Sequence, residues 1–131
     1  MTIEIVVDAK IIISALIGGS SRKILFDHRF RFMTTKFTVG EVVKYIPEIS
    51  RKSNTDEKFV LETFKLIPIE ILEEDYYINN IEGARKLIQD IDRKDVHILA
   101  LALETENYLW SEDKDFEKAG YKKLLKTKDL F

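Results

Sequence analysis

The chain contains no cysteine and only two histidines among its 131 residues. The lack of cysteine excludes disulfide bonds, cysteine-ligated zinc and thiol catalysis, and it is typical of a protein in a reducing cytoplasm. The scarcity of histidine argues against a histidine-rich metal site. Proline and glycine are also rare, while 45% of the residues are hydrophobic and 34% are charged, as in a folded globular protein.

Long hydrophobic runs are missing as well. No segment is long and apolar enough to cross a bilayer, and the amino terminus lacks the basic and then apolar layout of a signal peptide. We therefore expect no membrane association and a cytoplasmic location. The length suits one domain with a single sizeable core, so we predict one domain over residues 1–131.

The net charge of -2 hides an asymmetry along the chain. Residues 1–54 carry nine Lys/Arg and five acids, whereas residues 55–131 carry twelve Lys/Arg and eighteen acids. A basic half beside an acidic pocket would suit a polyanion whose reacting phosphate is held by a metal. Charged helix faces that are merely solvated produce the same pattern.

Hydrophobic periodicity predicts alternating strands and helices. Short apolar runs predict strands at residues 3–7, 30–34, 69–72, 108–110 and 124–125. Helical spacing predicts helices at residues 11–17, 21–28, 38–51, 59–66, 76–89, 92–106 and 113–119. This alternation implies an α/β protein with three layers, in which a central parallel sheet of four to five strands is flanked by helices on both faces.

Two aspartates follow predicted strands, and a third opens an apolar helix. Asp8 comes directly after the first strand, and Asp113 lies just after the strand at residues 108–110. Reactive groups collect at the carboxyl ends of parallel strands, where the loops converge on a crevice. Asp95 lies four residues before Leu99, on the helix stripe that faces the core, so its carboxylate needs a partner. Crowded carboxylates repel one another, and a hard cation such as Mg²⁺ relieves that repulsion.

Each acid also has a purely structural explanation. Asp8 can cap the helix that follows it, and Asp95 can lie in a first helical turn, where the macrodipole favours an acid. Asp92 is the better candidate for the N-cap of the helix that contains Asp95, which leaves Asp95 free for chemistry. Glu41 taken alone is an ordinary helix glutamate that can face solvent. Ser111 can hold a neighbouring carboxylate by a hydrogen bond, or it can simply end the strand.

Four segments combine the candidate acids with neighbouring apolar residues: Val6–Ala9, the helix of Glu41, Asp92–Ala102 and Trp110–Phe116. Together these segments resemble the PIN-domain ribonucleases, a family that includes the VapC toxins. The resemblance covers essentially the whole chain, with the motifs in the family's order. It implies a PIN-like fold and a metal-dependent endoribonuclease that hydrolyses RNA phosphodiester bonds with Mg²⁺ or Mn²⁺.

The resemblance also implies a role for individual residues. The catalytic and metal-binding acids would be Asp8, Glu41, Asp95 and Asp113, with Asp92 and Asp115 as auxiliary metal ligands. Ser111 takes the place of the usual Ser/Thr near the fourth acid. Many family members have Asn two residues after the first aspartate, whereas this chain has Lys10. A lysine there would either contact phosphate or neutralise the acids and weaken metal binding.

Single-stranded RNA is the expected substrate, because unpaired bases can stack on aromatic side chains. Candidates are Phe30, Phe32 and Phe37, although phenylalanines are common in cores. The toxin branch of the family further implies a homodimer and a small antitoxin partner that covers the acidic cleft.

Two other functions remain open from the sequence. The first is a catalytically weak or inactive PIN-fold protein, acting as an RNA-binding, protein-binding or dimerisation module with a site blunted by Lys10. The second is a phosphotransfer domain of the response-regulator or haloacid-dehalogenase kind. The dehalogenase pattern needs an aspartate where Lys10 stands, and a receiver domain needs its acceptor after a middle strand, where only Glu73–Asp75 follow.

Overall fold

The computed structural model describes residues 2–131 and is built around a five-stranded parallel sheet. The strands lie in the order β3-β2-β1-β4-β5. Their bounds are β1 Ile3–Val7, β2 Phe30–Thr35, β3 Ile69–Leu72, β4 Tyr108–Trp110 and β5 Leu124–Leu125. Val6 of the central strand pairs with Met33 on one side and with Leu109 on the other. The predicted parallel sheet is therefore confirmed, with five strands.

Nine α-helices connect or follow the strands in residues 2–131. Their bounds are α1 Ala9–Ile17, α2 Ser21–Leu25, α3 Lys36–Lys44, α4 Ile46–Ser53, α5 Glu57–Leu66, α6 Glu74–Tyr77, α7 Ile81–Ile88, α8 Val96–Thr105 and α9 Asp115–Lys118. Three short 3₁₀ turns cover Ile78–Asn80, Arg93–Asp95 and Thr127–Leu130. None of these helices is both long enough and apolar enough to cross a membrane.

The helices form two layers, one on each face of the sheet. Ile5 and Val7 of β1 point into a core shared with α1, α2, α4 and α5, whereas Val6 points into a second core shared with α7 and α8. Residues 5–7 of β1 are buried on both faces of the sheet and are continuously apolar, which made this strand recognisable from the sequence. Helix α8 is buried over nearly all of its surface, as its apolar composition predicts.

Two long helices were predicted to be continuous, and the structure shows that this was wrong, because each is divided into shorter elements. The predicted helix at residues 38–51 is divided between α3 and α4, which meet at Tyr45. Pro47 explains the break, because it has no N–H to donate to the carbonyl of Val43, four residues earlier. The predicted helix at residues 76–89 is also divided, into α6, the 3₁₀ turn Ile78–Asn80 and α7.

The remaining differences lie at the ends of elements. The helix predicted to reach residue 28 ends at Leu25, and the one predicted over residues 113–119 is limited to Asp115–Lys118. The chain turns after this helix at Gly120, whose φ of +89° favours glycine. The helix predicted from Asp92 begins as the 3₁₀ turn Arg93–Asp95, and α8 follows it.

Candidate active site

The site lies where the sheet reverses its chain order, between β1 and β4. Connections from β1 and β4 run to opposite sides there, which opens a crevice at the carboxyl ends of the strands. Asp8 follows β1, and the segment Ser111–Asp113 follows β4. The strand order also differs from the 2-1-3-4-5 order of flavodoxin-like receiver domains, which excludes the response-regulator alternative.

A chain of hydrogen bonds joins the two loops across this crevice. Asp8 is the N-cap of α1, and its Oδ1 accepts a 2.8 Å hydrogen bond from the Ala9 N–H. The Ser111 hydroxyl donates a 2.7 Å hydrogen bond to the other oxygen, Oδ2. The Asp113 N–H in turn donates to Ser111 Oγ at 3.0 Å. Asp8 is therefore both a helix cap and a fixed member of the crevice.

Burial sets the protonation behaviour of Asp8. The side chain is buried, which raises its pKa, and the nearby charge of Asp113 raises it further. The hydrogen bonds from Ser111 and Ala9 oppose this rise, because they favour the ionised form. Hydrogen-bond donors therefore hold the Asp8 carboxylate in place, although its burial disfavours the ionised form.

Asp95 occupies the least satisfied position in the site. It ends the 3₁₀ turn that Asp92 caps, since Asp92 Oδ1 accepts a 2.9 Å hydrogen bond from the Lys94 N–H. This confirms Asp92 as the cap. Asp95 is 8% exposed, and within residues 2–131 its Oδ2 has no hydrogen-bond partner. Burial raises the pKa of Asp95 to about 8, with further contributions from neighbouring acids, first Asp8 and then Asp92.

A cleft of about 390 Å³ gathers the predicted acids. It is lined by all four predicted catalytic acids, Asp8, Glu41, Asp95 and Asp113, and by the auxiliary Asp92. Glu41 enters it from α3 and is half-buried, which raises its pKa, and the charge of Asp8 adds to that rise. The structure therefore brings together acids that are separated by up to 105 positions in the sequence.

The tightest carboxylate group joins Asp95 to the two auxiliary acids. Asp92, Asp95 and Asp115 each offer an oxygen, and these atoms lie within 4.8 Å of one another. Asp113 orients this group indirectly, because its Oδ1 accepts a 3.0 Å hydrogen bond from the Asp115 N–H. Hard oxygen donors around an unpartnered buried carboxylate fit a hard divalent cation such as Mg²⁺ or Mn²⁺.

The sequence pattern of the PIN domain matches residues 6–130. The chain belongs to the PIN-domain family. This is a family of nucleases.

Solved structures show the same fold at low sequence identity. A chain of the crystal structure of VapBC2 from Rickettsia felis bound to a DNA fragment from their promoter is 13% identical, with a TM-score of 0.71. That match covers 95% of this chain and 98% of the other. A chain of a toxin-antitoxin complex from Klebsiella pneumoniae is 18% identical, with a TM-score of 0.65, and the match covers 92% and 94% of the two chains. A search of curated proteins finds no match to this chain.

Lys10 lies at the rim of this PIN-domain cleft. Its Nζ is 3.8 Å from Asp113 Oδ2, and its side chain is 76% exposed. An ion pair at that distance and exposure is loose and screened by solvent. Lys10 is therefore placed to reduce the negative charge of the site, but from outside the buried group.

Sequence reasoning missed several residues that also line the cleft. Among them are Tyr45, Glu48 and Lys52, which lie at the end of α3 and along α4, and Lys94, which lies in the 3₁₀ turn Arg93–Asp95. Glu48 pairs with Lys52 at 3.3 Å. Tyr45, Glu48 and Lys52 follow Glu41 at intervals of four, three and four residues, which is the spacing of one helix face. That spacing was the signal available in the sequence.

Proposed function

We propose that this PIN domain is a metal-dependent endoribonuclease that hydrolyses phosphodiester bonds of single-stranded RNA. The observation that carries the proposal is the state of Asp95. A buried carboxylate with an unpartnered oxygen and a pKa of about 8, surrounded by other acids, is costly to keep in the absence of a cation. Such an arrangement is expected where metal binding offsets the cost.

The residues proposed to hold the metal are the acids that line the acidic cleft, together with Asp115, which lies close to Asp92 and Asp95. Asp8, Glu41, Asp95 and Asp113 would be the principal ligands, and Asp92 and Asp115 would be auxiliary ones. When bound, Mg²⁺ or Mn²⁺ supplies an activated water and stabilises the charge that develops on the leaving oxygen.

The chain's own groups would prepare the site for this chemistry. Ser111 holds the Asp8 carboxylate in one orientation, and burial keeps competing water away from Asp95. Lys10 and Lys94 lie at the rim of the cleft, where exposed ammonium groups would attract RNA phosphates. The acids place the ion, and the lysines would place the polyanion.

A toxin–antitoxin role is a further proposal, and it rests on the shared fold. Chains of a VapBC2 structure and of another toxin-antitoxin complex share this fold, which supports a protein partner of the antitoxin kind for this chain. A homodimer, a cytoplasmic location and a single domain over residues 1–131 belong to the same proposal. Size-exclusion chromatography with light scattering would test the homodimer directly.

A second candidate function is the inactive module, and Lys10 is the observation that favours it. An ammonium group 3.8 Å from Asp113 reduces the negative charge that the acids present to a cation. A Mn²⁺ titration separates the two functions. The nuclease should bind Mn²⁺ in a manner that Asp95→Asn weakens, and an inactive module should show no binding that depends on the acids.

Cleavage of a labelled single-stranded RNA with Mn²⁺ or Mg²⁺ tests the main proposal. We expect cleavage by the unaltered protein, loss with a chelator and a loss of about 10³-fold in Asp8→Asn and Asp95→Asn. Asparagine is a good N-cap, so Asp8→Asn should keep α1 intact. Asp90 is exposed and does not line the acidic cleft, so Asp90→Asn is a matched control. Undiminished metal-dependent cleavage by both site variants would refute the assignment.

A further inference from the structure

A second cleft lies on the other side of the 3₁₀ turn Arg93–Asp95 from the acidic one. We call it the basic aromatic cleft, and its lining residues are Phe37, Arg85, Gln89, Arg93, Val96 and His97. Within the described chain no carboxylate lines it. The acidic cleft would attract a cation, whereas this one presents guanidinium groups beside aromatic rings.

An ordered aromatic stack forms one wall of the basic aromatic cleft. The Phe37 and His97 rings are nearly parallel, with an interplanar angle of 11° and centroids 4.2 Å apart. His97 is itself fixed, because its Nδ1 lies 2.8 Å from the hydroxyl of the buried Tyr77. Phe37 nevertheless remains 41% exposed. A large apolar ring that is held in place and left half open to solvent is a ready stacking surface.

The two clefts share their walls. Phe37 and Glu41 are four residues apart on α3, which places them on the same helix face about 6 Å apart along the axis. On the opposite wall, Asp92 and Asp95 line the acidic cleft, and Arg93 lines the basic aromatic one. A ligand strand that leaves the acidic cleft along α3 would therefore meet Phe37 next.

Arg93 is the cation best placed to bind such a strand. It is exposed, and within residues 2–131 its guanidinium forms no ion pair. Arg85, on the facing helix α7, pairs with Glu82 and is therefore partly neutralised. A planar guanidinium with free donors suits a phosphate, with which it can form two parallel hydrogen bonds.

We propose that the basic aromatic cleft binds a nucleotide of single-stranded RNA adjacent to the phosphate in the acidic cleft, with its base stacked on Phe37 and its phosphate on Arg93. This inference rests on the proposed nuclease function, since it takes the acidic cleft as the site of cleavage. Stacking predicts a preference for single strands, because a paired base cannot leave its duplex to cover the ring. It predicts little base selectivity, as every base presents a flat face.

Binding and cleavage must be measured separately to test the proposal. Affinity for a short fluorescent single-stranded RNA is measured by anisotropy in an Asp95→Asn background, which prevents turnover. Phe37→Ala should weaken binding by about 5- to 150-fold, the effect of losing one base–aromatic stack. Phe37→Trp should restore it. Arg93→Gln should lower the slope of log affinity against log salt by about 1, and Phe37→Ala should leave that slope unchanged.

Matched controls are found at the opposite ends of the strands. Phe26 is 42% exposed, and Arg31 is exposed, and both line a cleft at the amino ends of the strands. Phe26→Ala and Arg31→Gln should leave RNA binding unchanged. Equal losses from Phe26→Ala and Phe37→Ala would overturn the proposal, as would an equal effect of Phe37→Ala on duplex RNA.

The two proposals fail in different ways. If the unaltered protein cleaves RNA but Phe37→Ala binds it normally, the stacking site is wrong and the nuclease stands. If RNA binding depends on Phe37 but the unaltered protein does not cleave RNA with any metal, the nuclease proposal is wrong and the RNA-binding site stands. Loss of binding to a protein partner alone, with RNA affinity unchanged, would also overturn the proposal, since it would assign the cleft to that partner.

Discussion

Ser111 donates a 2.7 Å hydrogen bond to Asp8 across 103 positions of sequence. The bond joins the loop after β4 to the loop after β1, at the place where the sheet reverses its order. It also favours the ionised form of a carboxylate whose pKa burial raises. The serine therefore acts on the site through Asp8 and is a positioning residue.

Replacing Ser111 tests this relationship. In Ser111→Ala the Asp8 Oδ2 loses its donor, so the pKa of Asp8 should rise further and metal binding should need a higher pH. We expect metal affinity or cleavage to fall by about 10- to 100-fold, as is usual when the group that orients a ligand is removed. The alkaline shift of the pH–rate profile is the decisive measurement, because a merely structural loss would lower the rate without moving the profile.

Ser111→Thr and the exposed Ser14 provide the controls for that experiment. Threonine keeps the hydroxyl and should restore both rate and profile. Ser14→Ala changes an exposed serine of α1 away from Asp8 and should have no effect. Unchanged metal affinity and an unmoved profile in Ser111→Ala would contradict the positioning role.

Asp95 should make the metal-free protein less stable at neutral pH. Its folded pKa of about 8 lies above its ordinary value of 3.8, so the folded state holds a proton that the unfolded state has lost. Its contribution to stability is complete below about pH 4 and is lost as the pH rises to about 8. At pH 8 with a chelator, Asp95→Asn should therefore raise the free energy of unfolding by about 1–3 kcal/mol.

Mn²⁺ should reverse the order of stability of these two proteins. Ions that bind only the folded state stabilise it, and Asp95→Asn should lose most of that gain. Thermal unfolding at pH 8 with a chelator and with Mn²⁺ measures both effects, with Asp90→Asn as the exposed control. A metal-free Asp95→Asn protein less stable than its parent would show that Asp95 has a partner in the fold that offsets its burial.

Metal affinity should rise steeply with pH. A carboxylate must lose its proton before it can bind Mn²⁺, and burial raises the pKa values of Asp95, Asp8 and Glu41. Below about pH 8 we expect the Mn²⁺ dissociation constant to weaken by about tenfold per pH unit from Asp95 alone. Calorimetry in buffers of different ionisation enthalpy counts the released protons. A dissociation constant that stays constant from pH 6 to 8 would argue against Asp95 as a ligand.

The sequence predicted the sheet, and the positions of Asp8 and Asp113 after its strands, because both depend on local patterns. The buried residues 5–7 of β1 form a continuous apolar run, and the acid that follows them is easily seen in the sequence. The resemblance to PIN domains placed Glu41, which no local pattern marked. The break at Tyr45 was missed because the helical spacing of apolar residues continues past Pro47.

The relative importance of the acids could not be read from the sequence. Asp92 and Asp115 were expected to be auxiliary because the resemblance to PIN domains implied that role. The tightest carboxylate group nevertheless joins them to Asp95, and this depends on how the 3₁₀ turn and the β4 loop approach each other. Likewise, Phe37 could not be separated from Phe32 by sequence, although Phe32 is buried in the core and Phe37 is half exposed.

The effect of Lys10 on metal binding determines whether the site is weakened or active. The exposure of Lys10 favours an active site. At 76% exposure and 3.8 Å from Asp113, its charge is screened by water and cannot replace a bound ion. Lys10→Ala should therefore tighten Mn²⁺ binding by only about 2- to 5-fold, an effect that added salt should reduce. RNA affinity should fall in the same variant, because the rim loses a phosphate-binding charge. Lys23→Ala, on the exposed side of α2, is the control for both measurements. If Lys10→Ala instead converts a protein that binds no Mn²⁺ into one that does, the lysine blocks the site and the inactive module is the correct function.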